Sequence, residues 1–364
     1  MSEQHSFNIP AHYNIYTGNS NRELRIDYSI PQNGVTESTG LIIFVPGFGG
    51  NIDSKVYAKM RKVFADKYNM VTIQCDYFGS TFMQSSADRF RLKNPEILQS
   101  ILTVDELEKM NKDSSILLSI LSEKNILLPV IANIDESIEE FNDMSYMQAI
   151  DIISSVEAVK TILKGNNLIF NPARIIGYGH SHGAYLLHLS NRLAPNLFSY
   201  LVDNSAWIEP AFLSNNRFLY GKVGNATFDI EFDYIAKKII PNRLDLNLET
   251  LYKDFHGNTQ VLSFQGDNDD LVNHLEKKRI VETINNSDFI LVKQEDVDHV
   301  KYKSNSHGLD ADFLELFSFA LELERPTKET PVKELIYIID FESVLIEVDY
   351  TNGLPIFNFN FNFK

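Results

Sequence analysis

The stretch that most constrains this chain is Arg174–Tyr185, RIIGYGHSHGAY. Arg174 to Tyr178 is a short, mostly apolar run, which predicts a buried parallel strand. Gly179-His180-Ser181-His182-Gly183 follows at once, and Ala184 to Leu189 reads as the first turns of a buried helix. A strand turning sharply into a helix around Gly-x-Ser-x-Gly forms an elbow that holds its serine in a strained conformation with the hydroxyl projecting. Side chains at Gly179 and Gly183 would collide with strand and helix, so the turn needs glycine at both places. The plainer reading is a glycine-containing turn with an ordinary surface serine. The strand before it and the helix after it favour Ser181 as an acyl-transfer nucleophile.

The remaining chain supplies a frame for that elbow. Leu41 to Val45 is a continuous apolar strand that runs into the loop Pro46-Gly47-Phe48-Gly49-Gly50-Asn51. A helix-like segment near Val56–Tyr68 and a second buried strand, Met70 to Gln74, come next. Tyr146 to Leu163 reads as an amphipathic helix, with Ile150, Ile153, Val156, Val159 and Leu163 at helical spacing. Phe198–Val202, Gln260–Phe264 and Phe289–Lys293 are further short apolar strands, and Leu309–Glu324 closes as a helix. Short strands alternating with helices predict an α/β, doubly wound, mostly parallel sheet covered on both faces. Two β-like stretches, Tyr13–Tyr16 and Leu24–Ile30, precede it.

Two segments break the rhythm. Residues 80–143, with helix-like runs at Glu96–Met110 and Ser114–Leu121, predict a helical cap over the site or a peripheral decoration. Residues 207–258 form a second insertion rich in aromatics (Phe212, Phe218, Tyr220, Phe228, Phe232, Tyr234), which line a pocket or pack a small core. Pro326 marks the end of a main domain spanning 1–326, and 327–364 reads as a C-terminal β-hairpin extension. Its strands, Glu334–Tyr350 and Leu354–Phe363, meet at Asn352-Gly353, a type I′ turn signal. Phe357, Phe359, Phe361 and Phe363 alternate with Asn358, Asn360 and Asn362. Such an aromatic stripe must be covered, by the chain's own body or by a second subunit in a homo-oligomer.

Composition narrows the partners. A formal net charge of −16 argues against nucleic acid or an anionic membrane as the main partner. Cys75 is the sole cysteine, so no intramolecular disulfide forms, which fits a reducing cytoplasm. The opening MSEQHSFNIP has neither a basic nor an apolar signal region, and no apolar run approaches bilayer length. The expectation is a cytoplasmic protein that acts on a small molecule.

A serine hydroxyl is a poor nucleophile until a base takes its proton, and the base needs a carboxylate to hold its tautomer. In a doubly wound sheet these groups come from loops at the carboxyl ends of strands. Asp269 lies just past the Gln260–Phe264 strand, in a Gly266-x-x-Asp269-x-x-Val272 setting, with Asp267 and Asp270 beside it and Asp203 as the structural alternative. Two histidines compete as base. His307, in Ser304-Asn305-Ser306-His307-Gly308, stands directly before the closing helix, where it can swing over the sheet edge and is favoured. His299, in Asp296-Val297-Asp298-His299, reads equally as a polar loop residue. His180 and His182 are too close to Ser181 in sequence to act as its base, and no carboxylate or cysteine pattern makes them a metal site. Oxyanion donors are expected from the backbone N–H of His182 and from Phe48 or Gly49. A phosphate-cradling role for the Gly47–Gly50 loop finds no matching pattern.

The order Ser181, Asp269, His307, with Pro46-Gly47-Phe48-Gly49-Gly50 upstream, resembles the α/β-hydrolase superfamily over roughly residues 20 to 325. Asn171 to Tyr185, with the helix before it, is similar to the prolyl-oligopeptidase-like and dienelactone-hydrolase-like branches. His307-Gly308-Leu309 and its helix also resemble an uncharacterised bacterial branch associated with flagellar glycosylation loci. Ala184 departs from the usual third small glycine, Asp298 stands where a glycine often precedes the base, and the segment after Pro326 has no counterpart. The residues and the resemblance together imply a serine hydrolase without cofactor or metal. The expected reaction is carboxylic-ester cleavage by Ser181, His307 and Asp269. A peptidase or thioesterase of the same fold, or a non-catalytic hydrolase-like binding protein, is the alternative.

Overall fold

The computed structural model describes residues 1–84, 90–240, 242–325 and 334–361. Expectations placed on Pro326, Asn362 and Phe363 lie outside the described residues. Strands β1 (Glu3–Pro10), β2 (Glu23–Ile30) and β3 (Gly40–Val45) lead into helix α1 (Lys55–Tyr68) and β4 (Met70–Cys75). The first insertion carries β5 (Phe90–Leu92), α2 (Ile97–Ile101), α3 (Val104–Lys112), α4 (Leu117–Ser122) and β6 (Leu127–Ala132). Helix α5 (Tyr146–Gly165) returns the chain to β7 (Ile175–His180), α6 (His182–Leu193) and β8 (Tyr200–Asn204). The second insertion holds β9 (Arg217–Val223), β10 (Ala226–Phe232), α7 (Ala236–Ile239) and α8 (Leu248–Tyr252). Then follow β11 (Gln260–Gly266), α9 (His274–Val281), β12 (Ser287–Val292) and α10 (Phe313–Glu322), and finally β13 (Ile336–Asp340), β14 (Val344–Asp349) and β15 (Ile356–Phe361).

The central sheet has eight strands in the order β1-β2-β4-β3-β7-β8-β11-β12. From β4 to β12 neighbouring strands run parallel, while β2 is antiparallel to both β4 and β1. Every residue of β3 is buried. Leu41, Ile43 and Val45 enter the core on one face, Ile42 and Phe44 the core on the other. A strand covered on both sides has no polar face to present, which is why its sequence is an unbroken apolar run. The first strand is Glu3–Pro10 rather than Tyr13–Tyr16. The latter segment is a turn around Asn14, whose side chain donates to the Ile138 and Glu139 carbonyls at 3.1 and 3.0 Å.

The insertions differ from a purely helical cap. Among the described residues the first holds the α-helices α2, α3 and α4, yet β6 pairs in parallel with β10 from the second. Together they build one four-stranded sheet, β5-β6-β10-β9. Pro129 sits inside β6 and its strand partner lies far along the chain, so neither composition nor local periodicity displays the strand. Helix α5, expected to be amphipathic, is buried nearly all round, its polar Gln148, Asp151, Ser154 and Ser155 included. Asp151 is satisfied there by Arg22 at 2.7 Å and by the Phe78 N–H at 2.8 Å. Among the described residues no helix is long and apolar enough to cross a membrane.

The C-terminal segment is a three-stranded antiparallel sheet rather than a hairpin. Asn352-Gly353 does not form a type I′ turn, which requires positive φ at both residues. Only Gly353 has it, at +104°, and β14 and β15 are joined by the longer connection 350–355. Within the phenylalanine stripe, Phe357, Phe359 and Phe361 pack on the chain's own body. Phe357 is fully buried against His12, Phe359 meets Tyr146 at 5.0 Å and Phe361 stacks on Tyr16 at 6.4 Å.

His12 holds this docking together. Its Nδ1–H donates to the Tyr13 carbonyl at 2.8 Å, and its Nε2 accepts the Phe357 N–H at 2.9 Å. Burial drives the His12 pKa down to about 4, opposed by the Tyr13 carbonyl and reinforced by the Arg22 charge. A folded-state value below the ordinary 6.5 stabilises the docked tail fully above about pH 6.5 and loses that contribution as pH falls through about 4. The Phe357 amide resonance should therefore shift toward an undocked position over this range in the wild type. In a His12→Leu variant it should be displaced at every pH. A Phe357 amide insensitive to both would contradict the role of His12.

Candidate active site

Ser181 caps α6 from the end of β7 with φ 53° and ψ −121°, the strained conformation that the elbow demands. A Cβ at Gly179 would overlap the Ala184 backbone, and one at Gly183 would overlap the Val45 and Pro46 carbonyl groups. The second glycine thus lets the loop after β3 lie directly against the start of α6.

His307 opens a short turn, His307–Asp310, ahead of α10. Its Nε2 lies 2.7 Å from Ser181 Oγ and its Nδ1 lies 2.8 Å from Asp269 Oδ2. A neutral imidazole satisfies both contacts as Nδ1–H donor to the carboxylate and Nε2 acceptor from the hydroxyl. The Asp269 side chain is fully buried, while that of His307 is partly open to solvent. Asp269 also accepts from Gln265 Nε2 at 2.6 Å and from the Leu271 and Val272 N–H groups at 2.8 and 3.0 Å. Burial alone would raise its pKa. The His307 hydrogen bond and charge, with the two N–H donors, outweigh that and hold it below the ordinary carboxylate value.

The other candidates are placed elsewhere. His299 is exposed on its own loop, with its N–H bonded to the Tyr302 carbonyl at 2.9 Å. Asp203 is fully buried and engaged by Lys277 at 2.8 Å and His188 at 3.0 Å. Asp267 accepts from Asn305 at 2.8 Å. Among the possible oxyanion donors, Gly49 N–H points to Met83 Sδ at 3.2 Å. The N–H groups of Phe48 and His182 make no hydrogen bond among the described residues. Burial pushes the pKa of His182 to about 3 and that of His180 to about 4, so both rings are neutral near neutral pH. The His182 ring is fully buried, with the Met144 backbone beside it. Among the described residues no group of three or more His, Cys, Asp or Glu side chains is arranged to hold a metal ion.

Sequence reading missed the surroundings of this site. Phe48 packs against Trp207, Phe212 and Tyr234 at 5.6, 5.2 and 5.8 Å, and Trp207 lies 4.9 Å from the His182 ring. Arg217 of β9 places its guanidinium 4.7 Å over the Phe48 ring and donates to the Met83 carbonyl at 2.9 Å. The aromatic content of 207–258 was the available signal. It divides: Phe212, Phe232 and Tyr234 gather near Phe48, while Phe218 and Tyr220 face solvent. Beside the Asp269 turn lies a cavity of about 330 Å³ bounded by Trp207, Phe212, Leu271, Val272 and Glu276.

A family model described as "Protein of unknown function (DUF2920)" matches residues 5–222. No curated protein matches the chain. Among solved structures, the chain is similar to Pyrococcus horikoshii acylaminoacyl peptidase, at 12% identity and a TM-score of 0.50 over 91% of this chain and 43% of that one. Est1E from Butyrivibrio proteoclasticus with ferulic acid bound is 13% identical, with a TM-score of 0.45 over 83% of this chain and 93% of the other. Dienelactone hydrolase from Anabaena variabilis is 9% identical, with a TM-score of 0.41 over 89% and 95%. At 12% identity the likeness to the acylaminoacyl peptidase speaks to fold alone, and the fold is that of the α/β-hydrolases. None of these comparisons supports the resemblance to a branch linked with flagellar glycosylation.

The close approach at Gly183 gives a test of the geometry. Gly183→Ala should lower stability by about 1–3 kcal/mol in denaturant melts, because backbone must move to admit the methyl group. Gly165→Ala, at a position with nothing within 4 Å of the added carbon, should not. Equal stability of the two variants would contradict the packing described.

Proposed function

We propose that this chain, which belongs to the DUF2920 family of proteins of unknown function, is a serine hydrolase that cleaves carboxylic esters through an acyl-enzyme. The observation that carries this reading is the continuous line of hydrogen bonds from Ser181 Oγ through His307 to Asp269, at 2.7 and 2.8 Å. A non-catalytic binding protein has no need of that alignment at the tip of a strained elbow.

The chemistry follows from the contacts. His307 Nε2 takes the Ser181 proton as Oγ bonds to the ester carbonyl carbon. Asp269 keeps the proton of the other nitrogen at Nδ1 and stabilises the imidazolium. Charge developing on the carbonyl oxygen is met by the N–H groups of Phe48 and His182. The imidazolium then passes its proton to the departing alcohol, leaving an ester on Ser181. Water, deprotonated by the same nitrogen, releases the acid and restores the serine. The cavity beside Trp207 and Val272 is of a size for one modest substrate group. Amide or thioester cleavage would use the same groups, so the leaving group is set by the pocket and not by the serine.

Hydrolysis of short-chain p-nitrophenyl esters tests the assignment. Ser181→Ala and His307→Ala should each lose turnover by up to roughly a million-fold, while His299→Ala stays near wild type. If His299→Ala is the damaging variant and His307→Ala the mild one, the base is misassigned. Full turnover by Ser181→Ala would end the serine-hydrolase reading.

A further inference from the structure

Histidine 307 is followed by a residue that cannot anchor itself. Gly308 has no side chain and takes φ +74°, and Leu309 follows with φ +61°. Both polar backbone groups of Gly308 are nevertheless held, and by neighbouring side chains of one turn at the end of β8. Its N–H donates to Ser205 Oγ at 3.1 Å, and its carbonyl accepts from Asn204 Nδ2 at 3.2 Å. The backbone carbonyl of the same Asn204 accepts the Ser181 N–H at 2.8 Å. One turn therefore grips the nucleophile's own residue and the residue next to the base.

The turn is itself fixed from below. Asp203 Oδ1 accepts the Ala206 N–H at 2.6 Å, while Oδ2 accepts from Lys277 at 2.8 Å, His188 at 3.0 Å and Ser263 at 2.8 Å. Lys277, fully buried on α9, also donates to the Ala206 carbonyl at 2.9 Å. Ser205 adopts φ +59°, a costly conformation for a residue with a side chain, and this conformation goes with a hydroxyl that reaches Gly308. On the far side of His307, Asn305 is tied to the acid loop through the Asn268 N–H at 3.1 Å and the Asp267 carboxylate at 2.8 Å. Beyond the bonds within its own loop, such as the Ala311 N–H to the Gly308 carbonyl at 3.2 Å, the base is thus held from the acid loop and from the Asn204–Ser205 turn.

We infer that Asn204 and Ser205 are positioning residues for the reaction, setting the His307-to-Ser181 distance by pinning both backbone groups of Gly308. Among the described residues neither side chain hydrogen-bonds to Ser181 or to the His307 ring, so both act through Gly308. The inference rests on the serine-hydrolase reading for its kinetic consequences but not for its geometry. A misplacement of the imidazole by a fraction of an ångström costs turnover while leaving substrate affinity in place.

The test uses the full chain with p-nitrophenyl acetate. Ser205→Ala and, separately, Asn204→Asp should lower kcat roughly ten- to a hundredfold, with KM within about twofold of wild type. In a His307→Ala background, Ser205→Ala should cause no further loss, because the ring it positions is gone. The downfield His307 Nδ1–H resonance, seen by NMR in the free protein, should shift or broaden in both variants. An equal fractional loss in the wild-type and His307→Ala backgrounds would overturn the inference, as would an unchanged kcat and resonance. Asn204→Asp carries the comparison if Ser205→Ala fails to fold. If the wild type hydrolyses no ester, the proposed function fails, and the resonance still decides the positioning claim.

Discussion

Everything at the site hangs on one hydrogen bond, 2.7 Å long, between Ser181 Oγ and His307 Nε2, residues 126 positions apart in the chain. No local propensity can make such a contact. It exists because β7, β8 and β11 lie side by side and parallel, so that their carboxyl ends deliver the elbow, the Asp203–Ala206 turn and the Asp269 loop to one edge. The parallel arrangement in turn requires both faces of the sheet to be covered by helices, and the buried, two-sided strands follow from that.

Burial does a second job around this bond. His180 and His182 flank Ser181 yet are kept neutral by desolvation, so they add no positive charge beside His307 near neutral pH. Asp269 is buried too, but its hydrogen bonds more than offset the desolvation and keep it ionised. Groups of similar type within one site thus take different charge states according to which partner each has found.

The elbow, the parallel sheet and the Ser181, Asp269 and His307 constellation were legible because each depends on short-range signals. These were glycines flanking a serine between apolar runs, and polar loops directly after strands. What was not legible depends on distant pairing. β6 is interrupted by Pro129, and its partner β10 belongs to another insertion, so a mixed four-stranded sheet read as helical cap plus aromatic segment. The first strand shows its alternation only weakly in Glu3–Pro10, half-buried at His5, Phe7 and Ile9. Asn352-Gly353 carries a hairpin signal, but β14 and β15 are joined by the longer connection 350–355. Met83 had no signal at all, yet its sulfur takes up Gly49 N–H and its carbonyl accepts from Arg217 and Tyr234. Through it the loop beside the elbow is joined to the second insertion.

The claim that Ser181 is activated by this arrangement is tested most directly by intact-protein mass spectrometry after exposure to a fluorophosphonate. Such a reagent reports an activated hydroxyl without requiring the natural substrate. The account predicts one adduct per chain, on the peptide carrying Ser181, absent from Ser181→Ala and much slower to form in His307→Ala. An adduct that persists in Ser181→Ala, or a wild-type protein that takes up none, would contradict it.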